Sequence, residues 1–193
     1  MTLRVHRIAE STTMEGPGKR YCVWVQGCGR HCGGCLAADT WDANGGELFT
    51  TDEITQNALG AAGIEGITFV GGEPFEQARP LYEIGKALKA RGLSVVTYTG
   101  YTLEEIQASN NDDFNCLIEV TDLLIDGAFQ IDKKSFDRPW VGSSNQRYIF
   151  LSDRYNEDDI SRVANKLEVR IFPDGKTQVT GIGDFTLMRE YIN

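Results

Sequence analysis

The segment Cys28-Gly-Arg-His-Cys-Gly-Gly-Cys35 sets three thiols in eight residues and offers no obvious fourth ligand. Structural zinc takes four tetrahedral ligands, commonly two separated cysteine pairs, and here the second pair is missing. His31 is a candidate fourth ligand, but it adjoins Cys32, and neighbouring side chains on a tight loop rarely converge on one metal. Zinc stays as the alternative. Cys22 falls within an apolar run and Cys116 lies far along the chain, at a helix end or in a loop, so both read as small packed hydrophobes. Three thiolates suit a [4Fe-4S] cluster with one iron left open. An open iron can bind a substrate or cofactor directly.

The elements that position this loop can be read from period and punctuation. Tyr21-Cys-Val-Trp-Val-Gln26 reads as a strand entering the cysteine loop, and Gly66-Ile-Thr-Phe-Val70 as a strand entering Gly71-Gly72. Thr50 and Glu53 have capping-box spacing ahead of a helix to about Ala62. Pro80 near a helix start, then Leu81, Ile84 and Leu88 on one face, predicts a second helix stopped by Gly92. Strands follow at Ser94 to Tyr98, Asp122 to Ile125 and Gln146 to Leu151, with a helix start at Thr102 and a helix from Asp158 to Lys166. Acidic Asn156-Glu-Asp-Asp159 reads as that last helix's entry. Glu168 to Phe172 and Thr177 to Thr180 flank Asp174-Gly175, which suits a hairpin. The order predicts an α/β fold, a mostly parallel sheet with functional loops at one edge and a C-terminal hairpin.

Composition restricts the setting. At 193 residues the chain is expected to form one domain, with residues 152 to 193 as an extension packed on it. A formal charge of -9 argues against a nucleic-acid or membrane-surface binder, which needs a basic face. No apolar run nears the ~18 residues of a membrane span, and the start Met1-Thr-Leu-Arg-Val-His has no leader pattern. The reading is cytoplasmic, with reduced thiols.

Further motifs carry a resemblance. Cys28-x3-Cys32-x2-Cys35 together with Gly71-Gly-Glu-Pro74 resembles the radical S-adenosylmethionine (SAM) enzymes. Glu15-Gly-Pro-Gly18 with Arg20, Trp24-Val-Gln-Gly-Cys28, Thr40-Trp41, Thr99-Gly-Tyr101, Asp126-Gly-Ala-Phe129 and Gly142-Ser-Ser-Asn-Gln-Arg147 are similar to segments of the glycyl-radical-enzyme activases. Among these, the activases of anaerobic ribonucleotide reductase also carry glycine at the position of Gly34. Ala128 and Glu15 are mild departures, where proline or a charged residue and aspartate are usual.

The resemblance implies a partial (β/α) barrel with cluster and SAM inside its strand ends. Cys28, Cys32 and Cys35 would hold the cluster, whose open iron chelates SAM. Gly34, Leu36, Gly71, Gly72, Glu73 and Pro74 would contact SAM, with Thr99, Gly100 and Asp126 as further candidates; Asp126-Gly127 also reads as a simple turn. An electron from a flavodoxin or ferredoxin would cleave SAM, and the resulting radical would take a hydrogen atom from a glycine of a glycyl-radical enzyme. No general base is expected. Two other readings stay open: modification of a peptide, nucleotide or small molecule, and a non-catalytic cluster-binding module. Loss of SAM binding in a Gly72→Val variant, with the cluster retained, would favour the enzyme reading over the last. His6 reads as surface or packed, without a carboxylate partner. Trp24 reads as core and Trp41 as a shield for the cluster; Arg30 and His31 face SAM, the partner or solvent, and Asn145-Gln146-Arg147 caps a strand or meets a partner.

Overall fold

The computed structural model describes residues 1–163 and 167–183. Seven strands form one sheet in the order β3-β1-β2-β4-β5-β6-β7. Its centre is parallel: β2 (Arg20–Val25), β4 (Gly66–Gly71), β5 (Ser94–Tyr98) and β6 (Leu123–Asp126) run the same way. The flanks are antiparallel, with β1 (Thr2–Thr12) beside β2, β3 (Glu47–Thr50) beyond it, and β7 (Arg147–Phe150) against β6. β3 and β7 do not pair with each other, so the sheet is an open partial barrel.

Strand parity sorts the side chains into two layers. Tyr21, Val23 and Val25 of β2, Val95 of β5 and Leu124 of β6 join the core under the helices. Their alternates, Cys22 and Trp24, Val96 and Tyr98, Leu123 and Ile125, line the opposite, inner face. Trp140, Val141 and Ile160 fill part of that inner face.

On the outer face lie α1 (Thr51–Gly60), α2 (Ala78–Lys89), α3 (Leu103–Ala108) and α4 (Asp112–Val120). The Thr50 and Glu53 capping box forms as its spacing predicts. Leu81, Ile84 and Leu88 on α2 are wholly buried, which stabilises the fold by roughly 1.5–3 kcal/mol each. Gly85 lets α4 approach: a Cβ there would stand 3.0 Å from Val120. The helix predicted from Asp158 forms as α5 (Glu157–Ser161), opened by the Asn156 and Asp159 capping box; residues 164–166 of that prediction lie outside the described ones.

The hairpin forms too, as β8 (Glu168–Ile171) and β9 (Thr177–Thr180). It is fastened to the first strand and the loop after it. Arg7 donates to the Val179 carbonyl at 3.1 Å, Gln178 to Ile8 at 3.3 Å, and Thr12 to Glu168 at 2.9 Å. Gly181 N–H donates to the Glu15 carboxyl at 2.8 Å.

The Glu15-to-Arg20 motif is the floor of the inner face. Arg20 is fully buried and donates to Thr68 (2.7 Å), Ile67 O (2.6 Å), Pro17 O (2.9 Å), Ser94 O (3.1 Å) and the Tyr155 hydroxyl (3.0 Å). One guanidinium thereby ties β4, β5 and the segment after β7 together, its geometry matching a fork of five N–H donors.

Candidate active site

The cysteine loop leaves the end of β2 and is pinned on both sides. Gly27 N–H donates to Thr40 O at 2.7 Å and Cys28 N–H to Trp41 O at 3.2 Å. From the next strand, Gly72 N–H reaches Val25 O and Glu73 N–H reaches Gly27 O, both at 2.8 Å. Gly29 N–H donates to Glu76 at 2.8 Å. Within the loop, His31 has a positive φ of 44° and its ring lies 4.7 Å from Trp41. Arg30 stacks over Tyr101 at 4.6 Å.

The Gly-Gly-Glu-Pro turn is built by close approach. A Cβ on Gly71, whose φ is 105°, would lie 2.8 Å from Trp24 Cα, and one on Gly72 would lie 2.2 Å from Gly27 O. These glycines therefore seat β4's end against the root of the cysteine loop. Gly72→Val therefore does not test SAM binding alone, since a side chain at that position strikes the root of the cysteine loop.

Glu73 is buried and braces two strand ends. It accepts from Phe75 N–H (3.0 Å), the Thr99 hydroxyl (2.8 Å) and Gly100 N–H (2.8 Å). Burial pushes its carboxyl up to about 7 against the pull of those three donors.

One cavity gathers most of the expected site. Cys28, Cys32, Cys35, Leu36, Gly71, Gly72, Glu73, Thr99 and Gly100 line it, with Trp41 at its wall. Gly34, Pro74 and Asp126 are not in that lining. Gly34 (φ 76°) turns the loop, and a Cβ there would meet Ile131 at 2.9 Å. Pro74 opens a short helical turn. Asp126 is fully buried, receiving Arg147 Nε at 2.9 Å and Leu103 N–H at 2.8 Å, so it joins β7 and the start of α3. Asn145 and Gln146 bind the backbone at Ala128 and Gly142, and the Asn145-Gln146-Arg147 segment is thus tied to the loop after β6.

The remaining cysteines fall outside this group. Cys22 is fully buried on the inner face, and burial pushes its thiol well up. Cys116 sits in the middle of α4, partly exposed, not at a helix end or in a loop. His6 differs from its expected isolation: Nε2 lies 3.2 Å from Asp39 and Nδ1 3.0 Å from Gln26 Oε1, which fastens β1 to the turn after the cysteines.

Two features were not foreseen. A larger cavity of about 1000 Å³ runs from the cysteine loop to the hairpin, lined by Arg7, Glu15, Trp24, Leu36, Tyr98 and Phe172 among others. Tyr98 belongs to the lining of both cavities. Its hydroxyl is buried and has no hydrogen-bond partner among the described residues. The alternation of β5 was the available signal, because it puts Tyr98 on the inner face beside Val96.

The donor set can be tested against its metal. Two thiolates on one zinc, each at ~2.3 Å, stand within about 4 Å of one another. Among the described residues no group of three His, Cys, Asp or Glu side chains is gathered closely enough for a single ion, yet the three thiols face one cavity and form no disulfide. A cubane spreads its ligands more widely than a single ion, and these soft donors fit it.

Residues 14–149 match the family described as a 4Fe-4S single cluster domain. The chain belongs to that family. It is a radical SAM enzyme, in agreement with its motifs. The anaerobic ribonucleoside-triphosphate reductase-activating protein of Escherichia coli is 31% identical over 153 residues, covering 75% of this chain and 96% of the relative. The pyruvate formate-lyase 1-activating enzyme of Escherichia coli is 26% identical over 189 residues, covering 95% and 74%. The pyruvate formate-lyase-activating enzyme of Clostridium pasteurianum is 29% identical over 136 residues, covering 59% and 56%. The crystal structure of QueE from Escherichia coli is similar over 53% of this chain and 54% of that one, with a TM-score of 0.43 and 16% identity. The hairpin of this single-cluster enzyme lies beyond the residues that the family model matches.

Among the described residues no helix is long and apolar enough to cross a membrane.

Proposed function

We propose that this chain activates a glycyl-radical enzyme, with anaerobic ribonucleotide reductase as the partner. The observation that carries the reading is that three thiols and the Gly71 to Glu73 turn share one cavity, which borders a larger one reaching the hairpin. The relative matched over nearly its whole length is named as a reductase-activating protein, and Gly34 agrees with that group.

Cys28, Cys32 and Cys35 would hold the cluster. When bound, the cluster would supply the electron for reductive cleavage of SAM. The Gly71 to Glu73 turn commits two N–H groups to β2's end and the cysteine loop, so its carbonyl side is the surface for the SAM ammonium. Glu73 fixes Thr99 and Gly100 beside it. Leu36, Val70 and Trp41 keep water from the reacting carbon, which matters because a radical attacks whatever C–H bond it meets. The electron donor is of flavodoxin or ferredoxin type, and the setting is cytoplasmic.

The test is anaerobic. The protein is reconstituted with iron and sulfide, reduced and given SAM; its electron paramagnetic resonance should shift, and 5'-deoxyadenosine should appear. Addition of the anaerobic reductase should then yield a glycyl-radical signal on the reductase. Nucleoside release with no radical on that partner would sink the activase reading and turn the search to another peptide, nucleotide or small molecule.

A further inference from the structure

We propose that the Tyr98 hydroxyl is the hydrogen-bond donor for the backbone carbonyl of the substrate's reacting glycine, bound in the large cavity beneath the hairpin. The proposal rests on the activase reading above. Tyr98 ends β5 on the inner face, is 8% exposed, and lines both the cysteine cavity and its larger neighbour. It therefore stands where the two meet. A buried hydroxyl without a partner is uncommon in a folded protein, because the lost water is not replaced. Here the missing acceptor is supplied by whatever fills the cavity.

The surroundings define that acceptor. Burial, and next the Glu15 carboxyl and the Cys22 thiol, push the Tyr98 phenol well above its ordinary range, so it keeps its proton and donates. Glu15, when ionised, disfavours an anion beside it. The cations in the cavity lining are already engaged: Arg7 lies 3.6 Å over the Trp24 ring and donates to Val179, and Lys176 pairs with Asp174 at 3.2 Å. A phosphate would find little welcome there. Trp24, Val70, Phe172 and Ile182 give the cavity apolar walls, and His6, Asp39, Thr40, Thr177 and Gln178 set polar groups among them, a mixed lining that suits the alternating apolar and amide groups of a peptide. A peptide segment fits, with its carbonyl as the neutral acceptor.

The chemistry gains from that placement. The hydrogen atom leaves the glycine Cα with one electron and joins the deoxyadenosyl carbon. One C–H bond breaks, another forms, and no proton leaves Tyr98. The unpaired electron left on Cα spreads onto the adjoining carbonyl oxygen, where the phenol's hydrogen bond holds the segment in register.

The probe is a synthetic peptide copying the glycine loop of the anaerobic reductase, titrated calorimetrically into cluster-loaded protein with SAM and no reductant. A second peptide carries an alkene in place of the glycine amide, and so lacks the acceptor. Tyr98→Phe should bind the native peptide about five-fold more weakly than wild type, and should bind the alkene peptide as wild type does. Equal affinity of both proteins for the native peptide, or an equal loss for both peptides, overturns the proposal. A version dideuterated at glycine separates this from the broader reading. Wild type that neither binds the peptide nor moves deuterium into 5'-deoxyadenosine, while still cleaving SAM, overturns the activase reading and this proposal with it. Wild type that does both, beside an unaffected Tyr98→Phe, overturns Tyr98 alone.

Discussion

The Thr99 hydroxyl donates to the Glu73 carboxyl at 2.8 Å, joining the loops that follow β4 and β5. Gly100 N–H meets the other carboxyl oxygen at the same distance. The edge expected to contact SAM is thus held by one side chain. Thr99→Val should destabilise the protein by about 1–2 kcal/mol and weaken SAM binding, with Thr99→Ser near wild type. Urea unfolding and equilibrium SAM titration would show it, and a Val variant with unchanged SAM affinity would remove Thr99 from the site.

Glu15 and Glu73 are both raised to about 7, chiefly by burial. The folded chain therefore keeps protons that the unfolded chain releases near 4.5. Their contribution is full below that value and is lost as pH rises through about 7, up to roughly 3 kcal/mol each. Glu15→Gln and Glu73→Gln should each flatten the decline of unfolding free energy between pH 5 and 8. A slope as steep as wild type in both variants would contradict the assignment.

Arg20 satisfies acceptors on several segments, so its loss strands them in the interior. Arg20→Met should cost about 3 kcal/mol or more, and Arg20→Lys should not restore it, since one ammonium cannot span the same partners. Chemical denaturation of the apo protein reads this directly.

Iron binding should depend on Cys28, Cys32 and Cys35 alone among the cysteines. Alanine at any of the three should lower iron per chain after reconstitution, whereas Cys22→Ala and Cys116→Ala should match wild type. Gly72→Ala should also lose iron, because its Cβ meets Gly27 O at 2.2 Å. Retention of a full cluster in that variant would show that the two turns separate easily.

Much of this was legible in short-range patterns. Thr50 with Glu53, the Leu81, Ile84 and Leu88 stripe, and Asp174-Gly175 each marked an element that formed. The first strand was missed because its alternation is interrupted: its register against β2 shifts between Val5 and Arg7. β3 is four residues long and largely exposed, so it showed no apolar pattern. α4 opens with acidic residues behind an Asn111 cap, so its short apolar face gives no clear helical period in the sequence. The site was legible where one segment carries it, as in the cysteine triplet. His6 with Asp39, or Tyr98 with its vacant donor, depends on strands and turns distant in the chain, and no local spacing reports such meetings.

Among the described residues the sheet does not close and leaves β3 and β7 at its edges, and unpaired edges invite other chains to add to them. β3 and β7 are four residues each, one starting at Glu47 and the other at Arg147. Shortness and charge discourage a neighbour from extending the ladder, and a net charge of -9 adds repulsion between copies. The open side can thus face another protein without turning the molecule into a template for its own aggregation.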